Sequence, residues 1–189
     1  QEWANSNCPG PMSGMVVDRL TDRKLRLYAC AACRIIWKRM RSDLQDLVEL
    51  AEAFADGKVS DRERAKAFGP LKASKGFDAG AVRDCLEKSI TKYPALIGES
   101  VGHRLAEEMD EAGAEARLAD LYREIFPAPS RAKPLKKAWL TAESRQLAEQ
   151  MYADRSFDQM PKLGKLLKVP GCDDAKVLEH CRSKGPHFR

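Results

Sequence analysis

The chain has 189 residues, 43% hydrophobic and 32% charged, a composition that supports a packed core and excludes a disordered polymer. No run of about 18 apolar residues occurs, which excludes a membrane-spanning helix, and the opening QEWANSNCPGP is too polar for a secretory leader, so a cytoplasmic location is expected. The formal net charge of +5 is modest, so any polyanion would have to be met by a local cluster of base rather than by the molecule as a whole. With no initiator Met at its head, the chain is expected to have been trimmed at its start.

Taken in order, residues 2 to 20 hold Pro9, Gly10, Pro11 and Gly14 and read as a loop followed by about two helical turns over Met12 to Leu20. Trp3 is expected to be a packing anchor. Thr21 is a good N-cap for a helix over residues 22–40, in which Leu25, Tyr28, Ala29, Ala32, Ile36 and Met40 fall on one narrow face at 100° per residue. Arg26, Cys30, Cys33 and Trp37 flank that face on one side and Ala31 and Ile35 on the other, so the helix must be enclosed by neighbours. The remaining sector bears Arg23, Lys24, Arg34, Lys38 and Arg41, with Leu27 among them. From Asp22 to Arg41 seven basic residues stand against one acid, a local charge of +6 that exceeds the net charge of the whole chain.

Leu44, Leu47, Val48, Ala51, Phe54 and Ala55 predict a second helix closed by Gly57. Ser60 with Glu63 fits a capping box opening a short helix from Asp61 to Phe68, expected to stop before Gly69 and Pro70. Ala81, Val82, Cys85, Leu86 and Ile90 mark a further helical face ending near Pro94, and Glu99 to Phe126 reads as one long helix or two with Gly113 as the break. PAPSRAKP (127–134) opens a proline-rich basic connector over 127–138. Beyond it Thr141 caps a helix through Leu147 and Met151, a segment through Met160, Leu163 and Leu167 ends at Pro170 and Gly171, and Asp173 or Asp174 opens a last helix through Val177 and Cys181. No stretch alternates at period two. The expected fold is all-α: a single compact multi-helix domain around a buried central helix, with residues 1–126 as its first part and 139–189 packing back on it.

The blocks DRKLRLYACAACRIIW, AWLTAESRQLAEQMYADRSFDQMPKLGKLL and GCDDAKVLEHCRSKGPHFR together resemble a family of bacterial hypothetical proteins defined by the same segments. The resemblance spans most of the chain and implies no activity. Two departures accompany it. Where the family shows paired cysteines, this chain has Ala32 before Cys33, and it ends at Arg189 ahead of the Gly-Cys-Trp and apolar segment that follow in the family.

Six cysteines (8, 30, 33, 85, 172 and 181) in a chain without an export signal are expected to be reduced. Cys30 and Cys33, one helical turn apart, suit shared packing or a common metal ion. With Cys172, His180, Cys181 and His187 they supply donors of the types zinc accepts. The adjacent His180 and Cys181 point about 100° apart on a helix, so a site would combine Cys30 and Cys33 with one or two tail donors. The bland alternative is that the cysteines are small buried hydrophobes and the histidines ordinary polar groups; no cofactor is required, zinc being the candidate. Arg23, Lys24, Arg34, Lys38 and Arg41, joined by Arg131, Lys133, Lys136 and Lys137 of the connector and by Lys162, Lys165 and Lys168, form a candidate anion or nucleic-acid surface. Aromatic content of 7% gives base stacking little support, and the acidic run Glu107, Glu108, Asp110 and Glu111 offers these cations an intramolecular partner. Catalysis is less supported: a thiol at Cys30 or Cys33 beside Arg26 and Arg34, or His103 spaced four from Glu107, lacks reaction geometry. The sequence therefore points to a non-catalytic helical module for protein interaction or scaffolding, the alternative being a basic nucleic-acid-associated protein with a Cys/His zinc site.

Overall fold

The structure, a computed structural model, describes residues 2–92, 94–126, 128, 135–183, 185 and 187. It is all-α, with no strand among the described residues. Two compact units divide the chain, 1–130 and 131–189, and the division falls inside the proline-rich connector. None of the helices among the described residues is long and apolar enough to cross a membrane.

In the first unit the helices are α1 (Glu2–Asn5), α2 (Pro9–Met15), α3 (Asp22–Ile35), α4 (Ser42–Ala55), α5 (Asp61–Leu71), α6 (Phe77–Leu86), α7 (Glu99–Leu105) and α8 (Glu111–Ile125). Helix α3 is the hub, packed against α4, α6 and α8. Thr21 starts it, its hydroxyl accepting from the Lys24 N–H at 3.2 Å. From Leu25 to Cys33 all nine residues are buried, Arg26 included. Trp3 does pack, its ring 6.1 Å from that of Tyr122.

The central helix is shorter than the periodicity predicts. It ends at Ile35 rather than running to Met40, and Trp37–Arg39 form a 3-10 turn before Met40 becomes extended. The two successive β-branched residues Ile35 and Ile36 are weak helix formers. The Gln45 side chain then holds the non-helical path by donating to the carbonyls of Trp37 at 2.7 Å and Met40 at 3.1 Å. Leu27, expected in the basic sector, is buried instead. Helix α5 carries the Ser60–Glu63 capping box but passes through Gly69 and Pro70 to Leu71. The ring costs one hydrogen bond in the last turn, while Leu71 is 4% exposed and anchors the extra turn in the core. The stretch 99–126 is two helices whose break lies at residues 106–110, not at Gly113. Asp110 is the N-cap, its carboxylate accepting from the Gly113 N–H at 2.7 Å. The segment expected to run from Ala81 to Ile90 is helical earlier, from Phe77, and stops at Leu86.

That stop is enforced by two buried arginines. Arg26 of α3 is 2% exposed and donates to the Cys85 carbonyl at 2.5 Å and toward the Lys88 carbonyl at 3.5 Å. Arg64 of α5 is 4% exposed and donates to the Leu86 carbonyl and, through Nε, to Asp61 at 2.7 Å. Both guanidinium groups lie over the Phe54 ring, 4.8 and 5.7 Å from its centroid. They fill the acceptors that α6 leaves open at its C-terminal, partially negative end.

In the second unit α9 (Ala142–Asp154), α10 (Met160–Lys168) and α11 (Ala175–Arg182) enclose Trp139, Leu167, Cys172, Leu178 and Cys181. Thr141 caps α9 through the Ser144 N–H at 3.2 Å, and Asp174 caps α11 through the N–H groups of Lys176 and Val177. Gly164 permits the close approach of α10 to α11, since a Cβ there would stand 2.8 Å from Cys181 Cβ.

Candidate functional site

Most cations of the central stretch are engaged within the first unit. Arg23 donates to the Ala55 carbonyl at 3.1 Å and to Asp56 at 3.2 Å. Arg34 grips Glu52 through two bonds, 3.1 and 2.8 Å, reaches Glu49 at 3.4 Å, and stacks 3.6 Å above the Trp37 ring. Glu52 is 3% exposed, so this planar pair is a packed element of the fold, of the kind arginine forms better than lysine. Arg41 is bidentate with Asp43 at 3.0 and 2.6 Å. Arg39, a basic residue that the sequence reading did not select, donates to the Arg104 carbonyl at 2.9 Å and pairs with Glu107 and Glu108. Glu107 and Glu108 of the acidic run are thus intramolecular partners of these cations. Lys24 is half-buried and Lys38 exposed. In the second unit Lys136 stands 3.7 Å from Asp173 and 4.7 Å from the Trp139 centroid, and Lys137 is exposed; Arg131 and Lys133 lie outside the described residues.

The cysteines are enclosed unit by unit. In the first, Cys33 Sγ lies 3.6 Å from Cys85 Sγ, and the Cys85 thiol donates to the Ala81 carbonyl at 3.3 Å. Cys85 is a partner that sequence reading missed, although its place on the apolar face of α6 with Val82 and Leu86 was visible. Burial pushes the thiols of Cys30 and Cys85 well up, which suppresses the thiolate that nucleophilic or redox work needs. In the second, Cys172 and Cys181 belong to the apolar core, and burial raises the Cys181 thiol as well. His180 and His187 face each other edge to face at 5.1 Å. The zinc expectation draws donors from both units, and each unit buries its own cysteines among apolar side chains.

The His103 and Glu107 pairing suggested by their spacing does not form. The His103 ring stacks on Phe77 at 4.9 Å and its Nδ1 contacts the Glu99 carbonyl at 2.9 Å, while Glu107 pairs with Arg104 and Arg39. Two cavities open on the first unit among the described residues. One, of about 610 Å³, is walled by α4, α5 and α6, with Leu44, Leu47, Ala67 and Leu71 below and Arg41 and Lys75 at its edge. The other, of about 410 Å³, lies between α2, the Pro94–Leu96 turn, α7 and α8. Beside it the Tyr28 hydroxyl is sealed in the core with no hydrogen-bond partner among the described residues, its ring edge to face with Tyr122 at 5.0 Å. Burial raises both phenols, the Tyr28 phenol further through Tyr122 and Cys8.

Comparisons of the chain with protein-family models, with characterised proteins and with solved structures find no match.

One titratable group is set apart by its surroundings. Asp84 of α6 is held up to about 6, first by burial and then by Glu99 and Glu87, against the opposing pull of the Gly98 N–H and Arg83. The folded chain therefore binds a proton at Asp84 more tightly than the unfolded chain does. The stability this adds is complete below the ordinary aspartate range and is lost as pH rises from about 4 through about 6. Asp84→Asn is expected to match the native chain near pH 4 and to exceed it at pH 7 by roughly 1–3 kcal/mol in urea unfolding. Equal curves for the two proteins at every pH would contradict this assignment.

Proposed function

We propose that the chain is a non-catalytic helical module that docks a protein partner. The observation that supports this best is the contrast between sealed chemistry and open concavity. The nucleophiles of α3 and α6 lie buried with raised thiols, and the buried arginines are engaged by backbone carbonyls. The two cavities of the first unit, by contrast, are apolar-floored and charged at the edge, the composition of a peptide- or protein-binding surface. Phe77, 45% exposed at the larger one, is the kind of aromatic that anchors an interface. The full chain, immobilised and exposed to extract of its source cell, is expected to retain a discrete partner that co-elutes with it in fixed ratio and is lost on Phe77→Ser or Ala106→Trp. Retention by these variants equal to that of the native chain, or no stoichiometric partner at all, would contradict the reading.

A second reading is favoured by how charge is divided. Residues 131–189 contain 13 Lys and Arg against 7 Asp and Glu, a net of +6, whereas residues 1–130 contain 20 against 21. Lys162, Lys165 and Lys168 of α10 are exposed and have no ion-pair partner among the described residues. Such a row suits a phosphate backbone and releases counterions on binding. If the chain associates with nucleic acid, affinity for a random duplex falls steeply with salt, and Lys162→Gln with Lys165→Gln flattens that dependence by about one phosphate contact each. Because Arg34 and Arg41 are already paired, their replacement is expected to change the slope less. No duplex binding at low salt would remove this reading.

A further inference from the structure

The cavity between α2, α7 and α8 is a place where the sequence withholds volume. Gly10, Gly98, Gly102, Ala106 and Ala114 line it, so five wall positions present little or no side chain. Gly98 has φ +90°, and a Cβ there would come 3.1 Å from the Tyr28 hydroxyl, so the glycine is required both for the turn into α7 and for that approach. The Tyr28 hydroxyl, on a side chain 0% exposed and without a hydrogen-bond partner among the described residues, ends against this wall. An unpaired buried hydroxyl is costly to the fold. Leu96, 54% exposed, stands at the mouth.

Charge at the rim is of one sign. Glu99, Glu111 and Glu115 line the cavity and are exposed. Other acids of this region are occupied: Glu107 and Glu108 by Arg39, Asp120 by Arg123, and Asp110 by the cap of α8. The three glutamates of the rim have no ion pair among the described residues. Glu99 and Glu111 stand in the first turns of α7 and α8, where the helix N-terminus favours a carboxylate. Glu115 lies a turn further along and has no such compensation.

We propose that this cavity receives an apolar peptide segment of a protein partner bearing a lysine or arginine, whose cation pairs with Glu111 and Glu115 while its apolar residues enter beside Leu96. The inference rests on the reading of the chain as a protein-docking module and names the chemistry of one partner segment. The chain carries +5 overall, so a cationic peptide is repelled at long range and binds only where local carboxylates outweigh the rest.

The test titrates the full chain into a labelled short amphipathic peptide of leucine and lysine, and into the same peptide with glutamate for lysine, following anisotropy. The lysine peptide is expected to bind saturably at one site and the glutamate peptide not to bind. Glu111→Gln with Glu115→Gln is expected to weaken binding about tenfold. Ala106→Trp, at an exposed position on the wall, is expected to abolish it with an unchanged unfolding midpoint. Equal binding of both peptides, equal affinity in the native chain and both variants, or no binding of the lysine peptide would each overturn the proposal. A natural partner retained while the lysine peptide fails would sink this site and leave the docking module standing. Lysine-peptide binding that obeys the variants, with no natural partner found, would do the reverse.

Discussion

The first unit depends on the way one helix end is closed. Helix α6 terminates in the interior, where the Cys85 and Leu86 carbonyls are buried, and a buried unpaired carbonyl costs about as much as a lost hydrogen bond. Arg26 from α3 and Arg64 from α5 supply the missing donors, both beside the Phe54 ring. Two like charges near one another are tolerable because each is multiply hydrogen-bonded, Arg64 is also paired with Asp61, and the Phe54 ring offers the negative potential of its face to both. Burial still pulls the Arg26 guanidinium below its ordinary range, with Arg64 acting in the same direction. The arrangement fixes α3, α4, α5 and α6 relative to one another, and with them the wall of the larger cavity.

A second consequence concerns charge. The stretch from Asp22 to Arg41 carries the densest local base of the first unit, yet Arg23, Arg34, Arg39 and Arg41 are each matched by acids of α4, of the residue that closes it or of the α7–α8 segment. Such pairs add little stability where exposed. Arg34 differs, because Glu52 is buried and Trp37 covers the guanidinium. Pairing turns a basic helix into a near-neutral unit and leaves the excess of cations to residues 131–189.

Much of the architecture was legible because burial imposes a period. Leu25, Tyr28, Ala29 and Ala32 could only be enclosed, and Thr21, Ser60, Thr141 and Asp174 announce helix starts through local hydrogen bonds that need no tertiary knowledge. Features decided by distant residues were not legible. The end of α3 depends on Gln45, ten residues beyond Ile35, and the persistence of α5 through Pro70 depends on a pocket for Leu71. The break at Asp110 was readable in principle, since an aspartate three residues before Gly113 is a cap signal, but the glycine is the louder breaker by composition. For the candidate site, the basic residues were found and their engagement was not, because Glu52 and Glu107 lie 18 and 68 residues from their partners. The cavity lined by Gly98, Gly102 and Ala114 leaves no periodic signal at all, since small residues read equally as close packing.

The most direct test of the buried-arginine account is the urea unfolding free energy of Arg26→Met, set beside Arg41→Met, whose guanidinium pairs with Asp43 where both side chains are exposed. Methionine preserves much of the apolar stem but strands the Cys85 carbonyl and leaves Arg64 alone at the end of α6. The account predicts a loss of about 3 kcal/mol or more for Arg26→Met and under about 1 kcal/mol for Arg41→Met. A neutral or stabilising Arg26→Met would contradict it, showing that α6 ends where it does without the guanidinium.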